Sequence, residues 1–283
     1  MILITGSSGF IGTNLAKHLT HKKINFYGVD IKKNNYINFK NFSKLDLSKQ
    51  KEIKKLFKRV KPKIVIHLAA VSGVNMCNQN NNLAYKNNVQ ATFNVLMASK
   101  EFKCKKVLIA SSFAVEKFYA NPSFYAYTKK TCEDMSKMFK NNYNLKISVL
   151  RFSNVYGPYS LHKSSAIHQM MRCLRRNKLF KIHGTGKQLR DFIYVEDLIK
   201  KINKIYKKNL KKNFYNINTN KFNSINEIVK ILNSFSNNNL KTKHVKAPVG
   251  YDVSFSKKVK VRRNVNLILN LKKTFNWYNS KKL

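Results

Sequence analysis

The stretch Ile2-Leu3-Ile4-Thr5-Gly6-Ser7-Ser8-Gly9-Phe10-Ile11-Gly12 constrains this chain more than any other. Met1 to Ile4 is a short apolar run, which reads as a strand buried on both faces. Three glycines follow, spaced three apart, and Phe10 to His18 then takes up a helical period. Strand, glycine turn and helix in that order make a cradle for a phosphate. Gly6 permits a tight turn, Gly9 lets a pyrophosphate approach the backbone, and Gly12 lets the helix sit close to the strand. The helix start at Phe10 and Ile11 adds backbone N–H groups and a partial positive charge. Asp30 ends the next apolar run, Phe26-Tyr27-Gly28-Val29. An acidic side chain about 20 residues on suits a ribose 2′-OH and repels a 2′-phosphate. The motif therefore calls for a dinucleotide, NAD rather than NADP. Lys32 and Lys33 would hold a phosphate and leave NADP as the alternative.

The chain continues in the rhythm that this opening sets. Strands are expected over 24–29, 40–46, 63–67, 107–110 and 147–151. Helices are expected over 48–60, 82–102 and 125–142. Strand and helix alternate, which implies an α/β fold with a doubly wound parallel sheet of the Rossmann type. After Asn154 the regularity falls. Helices are expected over 166–176, 195–207 and 225–235, with short strands near 179–183, 192–194, 214–218 and 242–246. We read residues 1–154 as a dinucleotide-binding domain. Residues 155–283 then form mainly a small C-terminal substrate-binding lobe, with segments near 184–217 returning to the core. The runs Asn78-Gln79-Asn80-Asn81-Asn82 and Asn237-Asn238-Asn239 read as polar loops.

Composition bounds the partners. Lys plus Arg is 56 and Asp plus Glu is 12, a net charge of +44 over 283 residues. Such a balance often marks nucleic-acid binding. Here Lys is spread through every expected element, Asn is also in excess, and no basic tail or nucleic-acid motif occurs. Compositional drift, without a specific nucleic acid, is the reading. The positive field would still attract an anionic substrate. No apolar run reaches the roughly 18 residues of a membrane span, so no membrane partner is expected. The glycine loop starts too early to leave room for a cleaved leader. Cys77, Cys104, Cys132 and Cys173 form no C-x-x-C pair, which argues against a metal or disulfide framework and fits a reducing cytoplasm.

Tyr125-Ala126-Tyr127-Thr128-Lys129 opens a helix after a strand that ends in Ser111-Ser112. Tyr125 and Lys129 are four apart and share a helix face. A free tyrosine has a pKa of ~10, too high for a base at neutral pH. A nearby ammonium and an oxidised nicotinamide would both favour the phenolate. Tyr125 then becomes an acceptor for a sugar hydroxyl's proton, with Ser112 steadying the same hydroxyl. In a Lys-rich chain this spacing alone says little. The order glycine loop, Asp30, Ser112, Tyr125, Lys129 gives it weight. Tyr127 is the competing tyrosine, but position 131 is threonine.

With those residues in place, the chain resembles the extended short-chain dehydrogenase/reductase superfamily, in its NAD-dependent sugar-nucleotide epimerase/dehydratase branch. The match runs over nearly the whole chain. Its marks are the glycine loop, Asp46-Leu47, His67-Leu68-Ala69-Ala70, Asn87-Asn88-Val89, Ser111-Ser112 and Tyr125/Lys129. Two later ones are Arg151-Phe152-Ser153-Asn154-Val155-Tyr156-Gly157-Pro158 and Arg190-Asp191-Phe192-Ile193-Tyr194-Val195-Glu196-Asp197. The resemblance implies that Asp46 and Leu47 flank the adenine and that Leu68, Ala69 and Ala70 line the path to the nicotinamide. It implies that Asn88 orders the site behind Lys129, that Asn154 bonds the sugar nucleotide, and that Arg190 meets a phosphate, as Arg's forked geometry suits. A surface ion pair is the other reading of Arg190-Asp191. His67 is read as structural.

Two departures bear on the reaction. Dehydratases of this family carry an acidic residue directly after the active-site serine or threonine, whereas Phe113 and Ala114 stand here and Glu116 lies further on. The late arginine before Pro-Gly-Asp has no clear counterpart in Lys246-Ala247-Pro248-Val249-Gly250-Tyr251-Asp252, and Arg262 or Arg263 would substitute. The resemblance therefore implies NAD-dependent C4 epimerisation of a nucleotide-diphosphate sugar through a 4-keto intermediate. The alternatives are an NAD(P)H-dependent 4-keto sugar reductase, a family dehydratase, and a non-catalytic dinucleotide-binding protein. A homodimer through the helices 82–102 and 125–142 is also implied.

Overall fold

The computed structural model describes residues 1–117, 119, 122–208, 212–236, 238–247 and 265–281. In chain order the strands are β1 (Ile2–Thr5), β2 (Phe26–Asp30), β3 (Phe42–Lys44), β4 (Ile64–His67), β5 (Lys106–Ser112), β6 (Ile147–Phe152), β7 (Asn154–Tyr156), β8 (Phe180–His183), β9 (Leu189–Tyr194), β10 (Phe214–Ile217), β11 (Phe222–Ser224) and β12 (Thr242–Val245). The helices are α1 (Phe10–His21), α2 (Gln50–Val60), α3 (Val74–Gln79), α4 (Asn81–Ala84), α5 (Ala91–Glu101), α6 (Phe124–Tyr143), α7 (Ala166–Arg175), α8 (Val195–Lys207), α9 (Ile225–Asn233) and α10 (Val265–Asn279). The chain divides into two compact units. One is Met1–Phe152 with Ile199–Ile217, the other Ser153–Leu198 with Asn218–Leu283.

The first unit is an α/β fold of the Rossmann type. Its seven-stranded sheet runs β10-β6-β5-β4-β1-β2-β3, and every pair is parallel. Register aligns Leu3, Val65, Val107 and Ile147 across four strands. They pack with Phe57 of α2, Val95 and Leu96 of α5 and Phe139 of α6. The alternate residues Ile4, Ile66 and Leu108 point to the opposite face and are also fully buried. Burial on both faces is why these strands read as unbroken apolar runs. The strand order reverses between β1 and β4, and a ligand crevice in such a sheet lies outside the carboxyl ends of the strands there. The glycine loop, Asp30, Leu68–Ala70 and Ser112 all stand at carboxyl ends of β1, β2, β4 and β5.

Three local readings differ from the sequence expectation. The helix over 82–102 is not continuous: α4 passes through a π-helical stretch, Tyr85–Gln90, into α5. The run Asn78–Asn82 is not a polar loop. It closes α3 and opens α4, with the Asn80 side chain accepting from the Leu83 N–H at 2.9 Å. Asparagine is a good cap because its side-chain oxygen takes an orphan N–H. The short α3, the strands β7 and β11, and α10 had no counterpart among the expected elements.

In the second unit, β11-β9-β7 form one small sheet, with β9 parallel to β7 and antiparallel to β11. β8 and β12 pair in parallel. α9 starts with a capping box, in which Ser224 accepts from the Glu227 N–H and Glu227 accepts from the Ser224 N–H. Pro248–Asp252, Arg262 and Arg263 lie outside the described residues.

Candidate active site

The turn after β1 is shaped by what its glycines lack. Gly6 has φ +68, and a Cβ there would stand 2.6 Å from the Ala69 nitrogen. A Cβ on Gly12 would stand 2.1 Å from the Gly6 oxygen. Gly9 is the N-cap of α1. No side chain caps that helix start, and no acidic residue lies in its first turn. The Asp30 carboxylate at the end of β2 accepts from the Ser8 N–H at 2.9 Å and the Lys32 N–H at 3.3 Å. Burial pushes Asp30 up, against the N–H groups of Ser8, Lys32 and Ile31 and the Lys32 charge. A cradle that one Cβ would fill, an uncapped helix start and an acidic side chain beside it fit a dinucleotide.

Asp46 and Leu47 follow β3, and Leu68, Ala69 and Ala70 follow β4, in the same unit. Leu68 and Ala69 leave β4 with their N–H groups on the Thr5 carbonyl (3.1 Å) and hydroxyl (3.3 Å), and Ala70 follows, half-buried. Leu47 is buried, and its carbonyl accepts from the Asn94 amide at 3.1 Å. Asp46 accepts from the Ser48 N–H and hydroxyl and pairs with Lys86 at 3.2 Å. Burial raises its pKa, but these partners outweigh it and hold the carboxyl below its ordinary value.

Ser112 ends β5, and the short 3₁₀ turn Phe113–Lys117 follows. Its hydroxyl accepts from the Ala114 N–H at 3.2 Å. Ser123 caps α6, its side chain accepting from the Ala126 N–H at 3.2 Å. That cap places Tyr125 and Lys129 in the first two turns. The structure brings Tyr125 and Ser112 together. Burial pushes the Tyr125 phenol up to about 12, while the Ser112 hydroxyl bonded to it acts the other way. The expectation that Lys129 lowers this phenol is not met within the chain. Lys129 is buried, and its ammonium donates to the Ala110 carbonyl at 3.0 Å. Its own pKa is lowered by burial, against Cys132, Cys77 and Glu133. Tyr127 is 43% exposed and packs on Phe124. The arrangement pairs two hydroxyls at a strand end, with an ammonium one turn behind. With its phenol protonated the pair can hydrogen-bond an alcohol oxygen, and it takes the alcohol's proton only where a further positive charge favours the phenolate.

Asn88 sits in the π-helical stretch, buried. Its amide accepts from the Val71 N–H at 2.8 Å, donates to the Val71 carbonyl at 3.0 Å and donates to the Thr128 hydroxyl at 3.0 Å. A single side chain thus ties the segment after β4 to the turn of α6 that carries Lys129. π-Helical turns are rare and fall frequently at functional sites. His67 is buried between the Thr5 hydroxyl (2.7 Å) and the Thr92 hydroxyl (3.0 Å). Burial first, and the Lys129 charge second, hold it neutral with a pKa of about 3.

Asn154 and Arg190 belong to the second unit. The Asn154 amide donates to the Asp191 carbonyl at 3.1 Å. Arg190 donates to the Leu189 carbonyl at 3.0 Å. The Asp191 carboxylate is buried and takes the Thr219 N–H and hydroxyl and the Lys221 N–H. Asp191 is buried, not on the surface where an exposed ion pair would stand. Sequence reasoning also missed Asn34, whose amide donates to the Thr13 hydroxyl at 2.7 Å beside the glycine loop. In an Asn-rich chain no local signal marks it. Glu133 was missed too, although it stands one turn beyond Lys129.

A model of the NAD dependent epimerase/dehydratase family matches residues 2–218. The dTDP-D-glucose 4,6-dehydratase of Dictyostelium discoideum is 30% identical over 253 residues, 77% of this chain and 58% of its own. The UDP-glucuronate 4-epimerase of Thermodesulfobacterium geofontis is 31% identical over 224 residues, 69% of this chain and 68% of its own. Among solved structures, MoeE5 in complex with UDP-glucuronic acid and NAD superposes with a TM-score of 0.86 at 25% identity, over 98% of each chain.

Proposed function

Because the chain belongs to the NAD dependent epimerase/dehydratase family, we propose that it inverts C4 of a nucleotide-diphosphate sugar through a transient 4-keto sugar. NAD is the cofactor of that family. Bound NAD would supply reversible removal of the C4 hydrogen with its electron pair and, when oxidised, a positive charge that favours the Tyr125 phenolate. The glycine loop, Phe10, Ile11 and Asp30 would hold it, with Asp46, Leu47, Leu68, Ala69, Ala70 and Asn88 around it. Tyr125 takes the proton of the C4 hydroxyl and gives it back after the keto sugar has turned. Ser112 bonds the same oxygen and holds it beside the phenol. Lys129 keeps a positive charge behind both. Asn154 is proposed to bond the sugar nucleotide's diphosphate or sugar, and Arg190 to meet a phosphate.

The observation that carries this reading is the pairing of the Ser112 and Tyr125 hydroxyls, in the same unit as the glycine cradle. Epimerisation is favoured over dehydration because Phe113 and Ala114 follow Ser112, and the next carboxylate, Glu116, lies against Arg151 at 3.5 Å. We further propose a homodimer through the helices of 82–102 and 125–142. Leu83, Tyr85, Phe93, Tyr127 and Met138 are exposed apolar side chains on them. We propose a reducing cytoplasm from the scatter of Cys77, Cys104, Cys132 and Cys173, which form no C-x-x-C pair. No described helix is long and apolar enough to cross a membrane. The discriminating experiment uses NAD at a concentration far below that of the sugar nucleotide. Continued turnover without added reductant supports an epimerase; product that stops at one equivalent of reduced cofactor supports the reductase.

A further inference from the structure

Glu133 is a carboxylate only 2% exposed. Burying a charge is costly, and well-packed apolar groups often replace a buried ion pair without loss of stability. The geometry of its partners accounts for its presence. One oxygen accepts from the Ser111 hydroxyl at 2.6 Å and the Arg151 Nε at 2.9 Å. The other accepts from the Arg151 Nη2 at 2.6 Å. Ser111 and Arg151 are register partners near the ends of β5 and β6. The third guanidinium nitrogen lies 3.5 Å from Glu116, in the turn that follows Ser112.

The clamp falls on one helix face. Tyr125, Lys129 and Glu133 stand at i, i+4 and i+8 of α6, so they share a side. Lys129 ties that side to Ala110, and Glu133 ties it to Ser111 one residue further along β5. Ser112 is the next residue. We propose that Ser111, Glu133 and Arg151 form a positioning device that fixes the roll of α6 against the end of β5, so that the Tyr125 hydroxyl meets Ser112. This rests on the reading of Ser112, Tyr125 and Lys129 as the reacting set. The clamp residues act through those three.

The test is Glu133→Gln, which keeps the shape and removes the ionic fork. The expected result is a kcat at least about tenfold lower, with KM and NAD affinity changed by less than about threefold, since misplacement of reacting groups costs rate more than binding. Amide hydrogen exchange should quicken over residues 110–117 and 124–133 and stay unchanged over Phe10–His21. Glu133→Asp, which keeps the carboxylate, should recover part of kcat. A folded Glu133→Gln with wild-type kcat would overturn the proposal, as would equal losses in kcat and NAD affinity. If that variant does not fold, Ser111→Ala carries the test, with kcat about threefold lower expected, less than for Glu133→Gln because the Arg151 fork still holds the carboxylate; wild-type kcat and exchange there would overturn it. If the wild-type protein turns over no nucleotide sugar, the functional reading falls instead. Exchange then decides the clamp alone: unchanged protection in Glu133→Gln would overturn it.

Discussion

Tyr125 carries the proton transfer in this account; it is half-buried, and burial pushes its phenol up to about 12. Tyr125→Phe removes one oxygen and little volume, so NAD affinity should persist. Steady-state turnover should fall by roughly 10²–10⁴-fold with modest change in KM, the usual worth of a general base. Tyr127→Phe is the control, because Tyr127 is exposed and lacks a lysine four residues on; it should keep most activity. The opposite pattern would mean that the wrong tyrosine has been assigned. His67 gives a second residue-scale prediction. Its folded pKa, about 3, lies below the unfolded 6.5. The unfolded chain therefore binds more protons between those values, and stability is lost as pH falls through that window, by at most about 1.4 kcal/mol per unit. Denaturant unfolding at pH 7 and pH 5.5 should show a larger loss for the wild type than for His67→Gln. Equal losses would contradict a buried neutral imidazole.

At the scale of elements, the glycine loop is the part most open to a single test. Gly12→Ala drives a Cβ onto the Gly6 oxygen, 2.1 Å away. The loop must shift, at a cost of about 1–3 kcal/mol, and NAD affinity by calorimetry should fall by tenfold or more. Unchanged affinity would mean the cradle is not the cofactor site. Strands β1, β4, β5 and β6 were legible in the sequence because burial on both faces leaves uninterrupted apolar runs such as Ile64-Val65-Ile66. α6 was legible from its periodicity and α1 from its glycines. The π-helical turn was not, since the partners of Asn88 within it, Val71 and Thr128, are distant in sequence. Nor was the Asn78–Asn82 capping, because a cap and a loop use the same residue types. The site itself was readable as a set of residue types in order. What stayed hidden was who holds whom: Lys129 on Ala110, Glu133 on Ser111 and Arg151, Asp191 on Thr219 and Lys221.

At the scale of the molecule, the charge of +44 invites a test of its own. If it is drift, duplex DNA should bind without sequence preference, and affinity should collapse between low and physiological salt as counterions compete. Tight binding to one sequence at physiological salt would contradict that. The central claim, however, is the reaction, and one NMR experiment addresses it directly. The protein with NAD is incubated with candidate UDP-sugars in D₂O. The account predicts the C4 epimer at equilibrium, with protium retained at C4 and no deuterium at C5, because the C4 hydrogen leaves and returns without meeting solvent. Deuterium entering the sugar together with loss of water to a 4-keto-6-deoxy product would contradict it, and would assign the chain to the dehydratases.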